Sequence, residues 1–594
     1  MKKYIIPIVM LLAVGATSCD DALDLEPQDR ITDKDYFNTE NDLMLFSNPF
    51  YNNILPKKAY DSQSDLIVAQ DLSNELRGGS FRPIPKTSGG GGWKWTDLRR
   101  INTLLENVDK CDNPSAVVKY TAITRFFRAY FYFDKVVRFG DVPWYDTQIG
   151  STNKDLLYKA RDSRELVMTK MLEDVNYAIE NLPDHKAQTN VPYRVTKWAA
   201  LALKSQFCLF EGTFRKYHGL QIEGHDAEYY LKQSAEAAAE LIENGPYKIW
   251  SSGKPASDYR DLFIAENANA DEYILAIKYD NKIPMCHDAY GFSFTTARGM
   301  PGYTRKFINM YLMKDGTKFT DRAGWQEMTY ADEIKNRDPR LSQSIRTPGF
   351  TLNKKVHNPN LSESVTGYNP IKFVPDGVTR NDYCSNDLPV FRIAEVMLNY
   401  AEARAELGEL TQDDLDKTVN KIRDRVSMPH LDMAEANANP DYYLSSTEYG
   451  YPNVGGANKG VILEIRRERA VELSQEGDRW ADIRRWKAGK CYDQPITGMY
   501  FPGAGSYDLD GDGKPEIVLY RADQAKPDVA GAQVYMIGSE VKLTQGDKGY
   551  VNYHGTVERT PFNEDRDYYY PISSYDIDLY KAAGYPLVQN PGWF

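Results

Sequence analysis

The stretch "ILEIRRERAVELSQEGDRWADIRRW", residues 462–486, decides how the chain is read. Glutamates recur at every fourth position, Glu464, Glu468, Glu472 and Glu476, among six arginines. At that spacing the carboxylates project from one side of a helix. Two carboxylates that cleave a glycosidic bond must instead flank it from opposite sides, about 5–9 Å apart. No histidine belongs to the stripe, and the chain's seven histidines form no HExxH pattern, so zinc chemistry is poorly served. Six acids balance the six arginines. Arginine forks matched to carboxylates read as an interlocking scaffold, with Ile465, Leu473, Trp480 and Ile483 free to pack.

Working outward, helical patterns dominate two regions. Residues 114–138 are apolar nearly all round and so central. Residues 163–180 keep Leu166, Val167, Met171, Leu172, Val175 and Ile179 to one face. Residues 194–217 and 227–247 follow, the second with Gly245-Pro246 as its stop. Helical signal resumes at 389–408 and 415–426. Successive helices with small packing residues therefore predict an all-α dominated fold of stacked tetratricopeptide-like helical hairpins. The scaffold is expected mainly at 95–245 and 389–486, with loop-rich parts at about 248–384 and 487–560. "GGSFRPIPKTSGGGG", residues 78–92, can only be loop.

The chain has 594 residues, 42% of them apolar, and a net charge of −12. That charge argues against nucleic acid and against adhesion to an anionic membrane through a basic face. Tyrosine is abundant, at 42 residues, beside 9 tryptophans. The N-terminus, "MKKYIIPIVMLLAVGATSC", places two lysines before a short apolar run and small residues before Cys19. It reads as an export signal over residues 1–18. Its "ATSC" end resembles a bacterial lipobox, with Ala16 departing from the usual Leu, so Cys19 is the expected lipidation site. The other cysteines, Cys111, Cys208, Cys286, Cys384 and Cys491, are odd in number and lack any CxxC; they form no disulfide framework.

"YDLDGDGKPEI" carries a sharper local signal. Asp508, Asp510 and Asp512 alternate, Gly513 turns the chain, the Lys514 carbonyl follows, and Glu516 comes after it. Hard oxygen donors in that order suit Ca²⁺. The position-12 glutamate of an EF-hand is missing, since Leu519 stands there, so a single DxDGDG-type loop with a structural ion is expected.

"RRERAVELSQEGDRWADIRRW" also resembles the "ER..EL..EG.R..DL.RW" segment of the SusD/RagB family of Bacteroidota outer-membrane lipoproteins. Glu468, Arg469, Glu472, Leu473, Glu476, Gly477, Arg479, Trp480, Asp482, Arg485 and Trp486 carry the match. "LDLEPQDRITDKDYF", "FRIAEVMLNYAEARAELG", "VNKIRDRV" and the tail "YPISSYDIDLYKAAGYPLVQNPGW" resemble further family segments. "KNRDPRL" (335–341) does so too, which makes Asp338 and Arg340 architecture. The resemblance implies a single SusD-like domain over 19–594, an irregular α-superhelix of tetratricopeptide-like hairpins with a loop-rich ligand-binding part, at the outer face of the outer membrane. Such a protein captures glycan and passes it to a TonB-dependent SusC-like barrel transporter, without catalysis. Peptide cargo on the same architecture is one alternative; an extracellular glycoside hydrolase is another. Sugar rings stack on exposed Trp or Tyr while polar groups meet the hydroxyls. Trp93 and Trp95, at the edge of the glycine loop, are the leading platforms, with Asn74 and Arg77 as polar contacts. Tyr290, Phe292, Arg298 and Tyr303 form the second expected cluster, and Trp325 follows it.

Overall fold

The computed structural model describes residues 36–56, 63–150, 152–185 and 191–593. The export signal and Cys19 lie outside the described residues.

The helical scaffold begins with α1 (Glu40–Asn53), α2 (Thr96–Asn107) and α3 (Pro114–Phe139), and continues through α4 (Arg164–Asn181), α5 (Lys197–His218) and α6 (Ala227–Asn244). Asn113 caps α3 by accepting from the Ser115 and Ala116 amides, and Pro114 takes the first turn, where no amide hydrogen is needed. Successive helices pack as neighbours: α3 on α4, α4 on α5, α5 on α6. Small residues let α5 and α6 approach closely. A Cβ at Gly212 of α5 would meet the Leu231 side chain of α6 at 2.7 Å. Cys208 is fully buried on α5 as packing, and all five described cysteines are free thiols.

The chain then leaves the helices at strand β1 (Tyr273–Ile277) and returns at β2 (Leu388–Arg392), and these two strands pair antiparallel. The loop-rich excursion is thus closed at its base. This pairing corrects the expectation of helix from residue 389: the first residues of that segment are strand, and α7 (Ile393–Leu407) starts after them. α7 packs on α6 and on the helix Lys459–Glu472, so the scaffold resumes where it was interrupted. The result is a predominantly helical, repeat-like arrangement of paired helices with sparse β structure. No helix among the described residues is long and apolar enough to cross a membrane.

The short helix α8 (Val419–Arg425) precedes α9 (Lys459–Glu472), on which every residue from Gly460 to Glu472 is buried. The 462–486 stretch is not one helix. Gln475 and Gly477 adopt positive φ, 63° and 99°, and α10 (Arg479–Arg485) starts after them. Glu476 therefore sits in the turn, off the helical stripe. There it accepts from Arg392 at 2.6 and 2.7 Å and from the Lys372 ammonium at 2.6 Å. Glu472 accepts from Arg392 at 2.7 Å and Arg340 at 3.1 Å, and also from Arg425. Glu468 takes Arg340 at 2.6 Å and Arg423 at 2.9 Å. Each carboxylate is sealed from water, so each needs its cation. The stretch is a structural lattice.

Glu402 of α7 joins the lattice to α10: both terminal nitrogens of Arg485 donate to it, at 2.5 and 2.7 Å, and the Trp486 indole donates at 2.6 Å. Burial raises this carboxyl, but Arg485, Arg469 and Arg466 together outweigh burial and hold it at about 2, against an ordinary 4.5. Its contribution to stability is complete above the unfolded value and is lost as pH falls through the folded one. Glu402→Gln is expected to lower stability by about 3 kcal/mol at neutral pH. The loss relative to the parent should shrink between about pH 4.5 and 2. Denaturant titrations across that range check this; a pH-independent difference contradicts it.

Candidate functional site

The expected aromatic platforms divide sharply by environment. Trp93 is only 3% exposed, its ring edge-on to Phe139 at 5.0 Å and to Trp95 at 5.3 Å. The glycine loop folds over α3 rather than holding the indole out: Lys135 donates its ammonium to the Gly92 carbonyl at 2.9 Å. Trp95 precedes α2 and is half-buried against Phe131, Tyr132 and Tyr145. Tyr303 is 1% exposed, in a strand pair with Ile67, and its hydroxyl donates to Gln475 at 2.8 Å. Trp325 packs among Phe319, Tyr443 and Tyr449, and its carbonyl accepts from Arg305 at 2.9 Å. Trp93, Tyr303 and Trp325 are core residues with no open face, which corrects the expectation of sugar platforms there. Asp338 and Arg340 are likewise buried and bonded to each other at 2.7 Å, as expected of architecture.

The polar candidates have a different fate. Asn74 is exposed at the start of a short helix, Asn74–Arg77, capped by Ser73. Arg77 is half-buried, its guanidinium lying 3.4 Å over the Phe81 ring. Alongside runs segment 553–560. His554 donates its Nε2 hydrogen to the Ala69 carbonyl at 2.9 Å, and the Thr560 amide donates to the Arg77 carbonyl at 2.7 Å. The approach is so close that a Cβ at Gly78 would lie 2.4 Å from the Thr560 carbonyl oxygen, and Gly78 has φ +68°. On the other side the Gln70 amide donates to the Gly299 carbonyl at 2.6 Å. Next to Gly299, exposed Arg298 pairs with both Asp288 and Asp382. Tyr290 is half-buried and stacks on Phe294 with ring centres 5.5 Å apart.

Three segments far apart in sequence, 69–82, 288–300 and 553–560, are therefore laced into one surface. It offers Gln70, Asp71, Asn74 and Arg298 to solvent, with the Tyr553 ring 36% exposed beside His554. Tyr553 was not singled out by sequence reasoning. It lies in an irregular run, "VNYHGT", with no pattern to separate it from other tyrosines; only the contacts of its neighbour His554 place it on this shelf.

The acidic loop lies between β3 (Gly505–Tyr507) and β4 (Ile517–Tyr520), which pair antiparallel. One carboxylate oxygen from each of Asp508, Asp510, Asp512 and Glu516 falls within 4.8 Å of the others. Backbone amides shape the turn. Asp508 accepts from Gly511 at 2.6 Å and Gly513 at 2.9 Å, which lowers its pKa, and both glycines have positive φ. Burial and then the three aspartate charges raise Glu516. The cluster is capable in principle of holding a metal ion.

Comparison with known proteins gives this geometry its context. The profile described as the SusD family matches residues 223–593, and one described as "Starch-binding associating with outer membrane" matches 94–209. SusD-like protein P38 of Formosa agariphila is 24% identical over 548 residues, covering 84% of this chain and 95% of that protein. SusD-like protein P2 of the same organism is 23% identical, covering 82% and 92%. A SusD-like protein from Bacteroides fragilis superposes with a TM-score of 0.67 at 21% identity, over 96% of this chain and 100% of that one. A SusD-like carbohydrate binding protein from the same species gives 0.65 at 20% identity, over 91% and 98%. The chain belongs to the SusD family, the SusD-like carbohydrate-binding proteins of the Bacteroidota outer membrane. Members of that family bind without catalysing, and their place is the outer membrane.

Because Trp93 is packing rather than platform, Trp93→Ala is expected to cost about 3–5 kcal/mol of stability. A lowered thermal midpoint checks this; an unchanged midpoint with weakened ligand binding would return the indole to the ligand.

Proposed function

We propose that the chain captures oligo- or polysaccharide on the loop shelf and delivers it to a TonB-dependent SusC-like barrel transporter. In this reading residues 19–594 act as one domain on tetratricopeptide-like hairpins, tethered through lipid on Cys19. The observation that carries the shelf is the lacing of 69–82, 288–300 and 553–560 into a surface with an open tyrosine ring among amide, carboxylate and guanidinium groups. Such a surface suits a sugar, whose ring has an apolar C–H face and whose rim donates and accepts hydrogen bonds. Because backbone hydrogen bonds already hold the segments, little ordering remains to oppose binding. Asn74, Arg77 and Tyr290 stay in the site; Trp95, half-buried against Phe131, Tyr132 and Tyr145, lies apart from it.

Isothermal calorimetry against a panel of oligosaccharides and peptides tests the reading. Tyr553→Ala is expected to weaken glycan binding about tenfold, on the order of 1.4 kcal/mol, with an unchanged melting temperature. Heat from peptides alone would move the cargo to protein-derived material. Product formed on overnight incubation with the same oligosaccharides would instead make the protein a hydrolase.

We further propose that the ion in the acidic loop is Ca²⁺. Asp508, Asp510, Asp512 and Glu516 supply carboxylate oxygens and Lys514 a carbonyl, donors that suit a hard cation. The ion would offset the burial and the aspartate repulsion that raise Glu516 and order the hairpin. Asp510→Ala is expected to remove one calcium per chain in equilibrium dialysis; equal stoichiometry in parent and variant rules the assignment out.

A further inference from the structure

A cleft of about 590 Å³ opens in the helical scaffold, among the glycine loop, α3, α5 and α10. Its volume is that of a small-molecule site, and the segments of the loop shelf contribute nothing to its lining. Two half-exposed rings three residues apart on α3, Tyr130 and Phe133, line it. Both rings are braced: Tyr130 stands edge-on to Phe391 at 6.2 Å, and Phe133 edge-on to Phe210, which also lines the cleft, at 5.7 Å. They are therefore preset rather than free to collapse into the cleft.

The polar lining is specific and incompletely used. Gln206 of α5 donates its amide to Glu395 at 2.8 Å and to Asp478 at 3.3 Å. The carbonyl oxygen of that same side chain has no partner among the described residues, nor has the Tyr130 hydroxyl. Neither atom is sealed from solvent. Arg469, whose charge acts on both Glu395 and Asp478, is already engaged: it donates to Asp482 at 2.8 Å and to Asn399 at 2.7 Å. Burial raises both carboxyls, and the charge of Glu395 raises Asp478 further; a protonated carboxyl here is a hydrogen-bond donor. On the rim, exposed Asp134 is bonded to Arg138 at 2.8 Å, and Lys94 is exposed.

We infer that this cleft is a second saccharide-binding site, in which Tyr130 and Phe133 cover a sugar ring while Gln206, Asp478 and the Tyr130 hydroxyl meet its hydroxyls. The inference rests on the glycan reading of the preceding section. A neutral polyol fits better than an ion, because the lining mixes open donors with open acceptors and both signs of charge occur around it. A purely apolar guest would leave the Gln206 carbonyl and the Tyr130 hydroxyl desolvated without partners. Chains of sugar long enough to reach both sites would gain in avidity over either alone.

Calorimetry on the full chain with maltoheptaose, laminarihexaose, mannohexaose and xylohexaose tests it, using Tyr553→Ala to disable the shelf. A sugar that binds is expected to occupy two sites per chain. Tyr553→Ala should leave one, which Tyr130→Phe and Gln206→Leu each weaken about tenfold or more. Asp134→Asn, at the exposed rim, serves if either of those variants melts early, and should weaken the same site. A single site that Tyr553→Ala abolishes and the cleft variants leave unchanged overturns the inference and keeps the shelf. Binding that survives Tyr553→Ala in full but falls with the cleft variants supports the cleft and removes the shelf. No heat with any of the four sugars overturns both.

Discussion

The burial of α9's carboxylates against guanidinium groups brought from elsewhere in the chain is the constraint on which this structure depends. A carboxylate taken out of water is tolerable only with a matched cation and filled hydrogen bonds. Glu472 alone draws Arg340 from the loop-rich excursion, Arg392 from its base strand and Arg425 from α8. Glu272 shares two of those arginines, Arg392 and Arg425. No single segment can complete such a cluster, so scaffold and excursion must dock together or leave charges uncompensated. The lattice thereby registers the loops on the helices rather than adding an independent increment of stability.

That registration has a functional consequence. The strand pair Tyr273–Ile277 with Leu388–Arg392 closes the excursion at its root, and the lattice grips it just beyond through Arg392. The outer loops can then be irregular without being loose. Their backbone groups bond to one another across large sequence separations, as Thr560 does to Arg77 and Gln70 to Gly299. Binding chemistry can vary on such a surface while the helices beneath stay the same.

Aromatic residues serve two separate purposes in this chain. Those next to the glycine loop and at Tyr303 and Trp325 fill the core, where their large area stabilises most. Among the rings left partly open, Tyr553 on the shelf and Tyr130 and Phe133 in the cleft sit beside unspent polar groups. A ring with water on one face and hydrogen-bonding groups around it can hold a sugar; a ring walled in on all sides cannot.

The helices were legible because their signals are local: apolar periodicity and the Gly245-Pro246 stop after α6. The charge balance of 462–486 likewise named a lattice before any contact was known, and the alternating aspartates named a possible cation loop. Exposure is not local. Trp93 and Tyr553 each lie beside glycines and aromatics in sequence, and only the packing of α3 against the glycine loop buries the one, while the shelf's long-range hydrogen bonds present the other. Glu476 left the helical stripe for the same reason, since its partners Arg392 and Lys372 arrive from distant segments and are met in a turn. The sequence by itself determined most of the helices and that the charges of 462–486 need compensation; which cations supply it, and where strand replaces helix, followed from the packing. Tertiary structure alone decided which rings face water, because that depends on what the remainder of the chain covers.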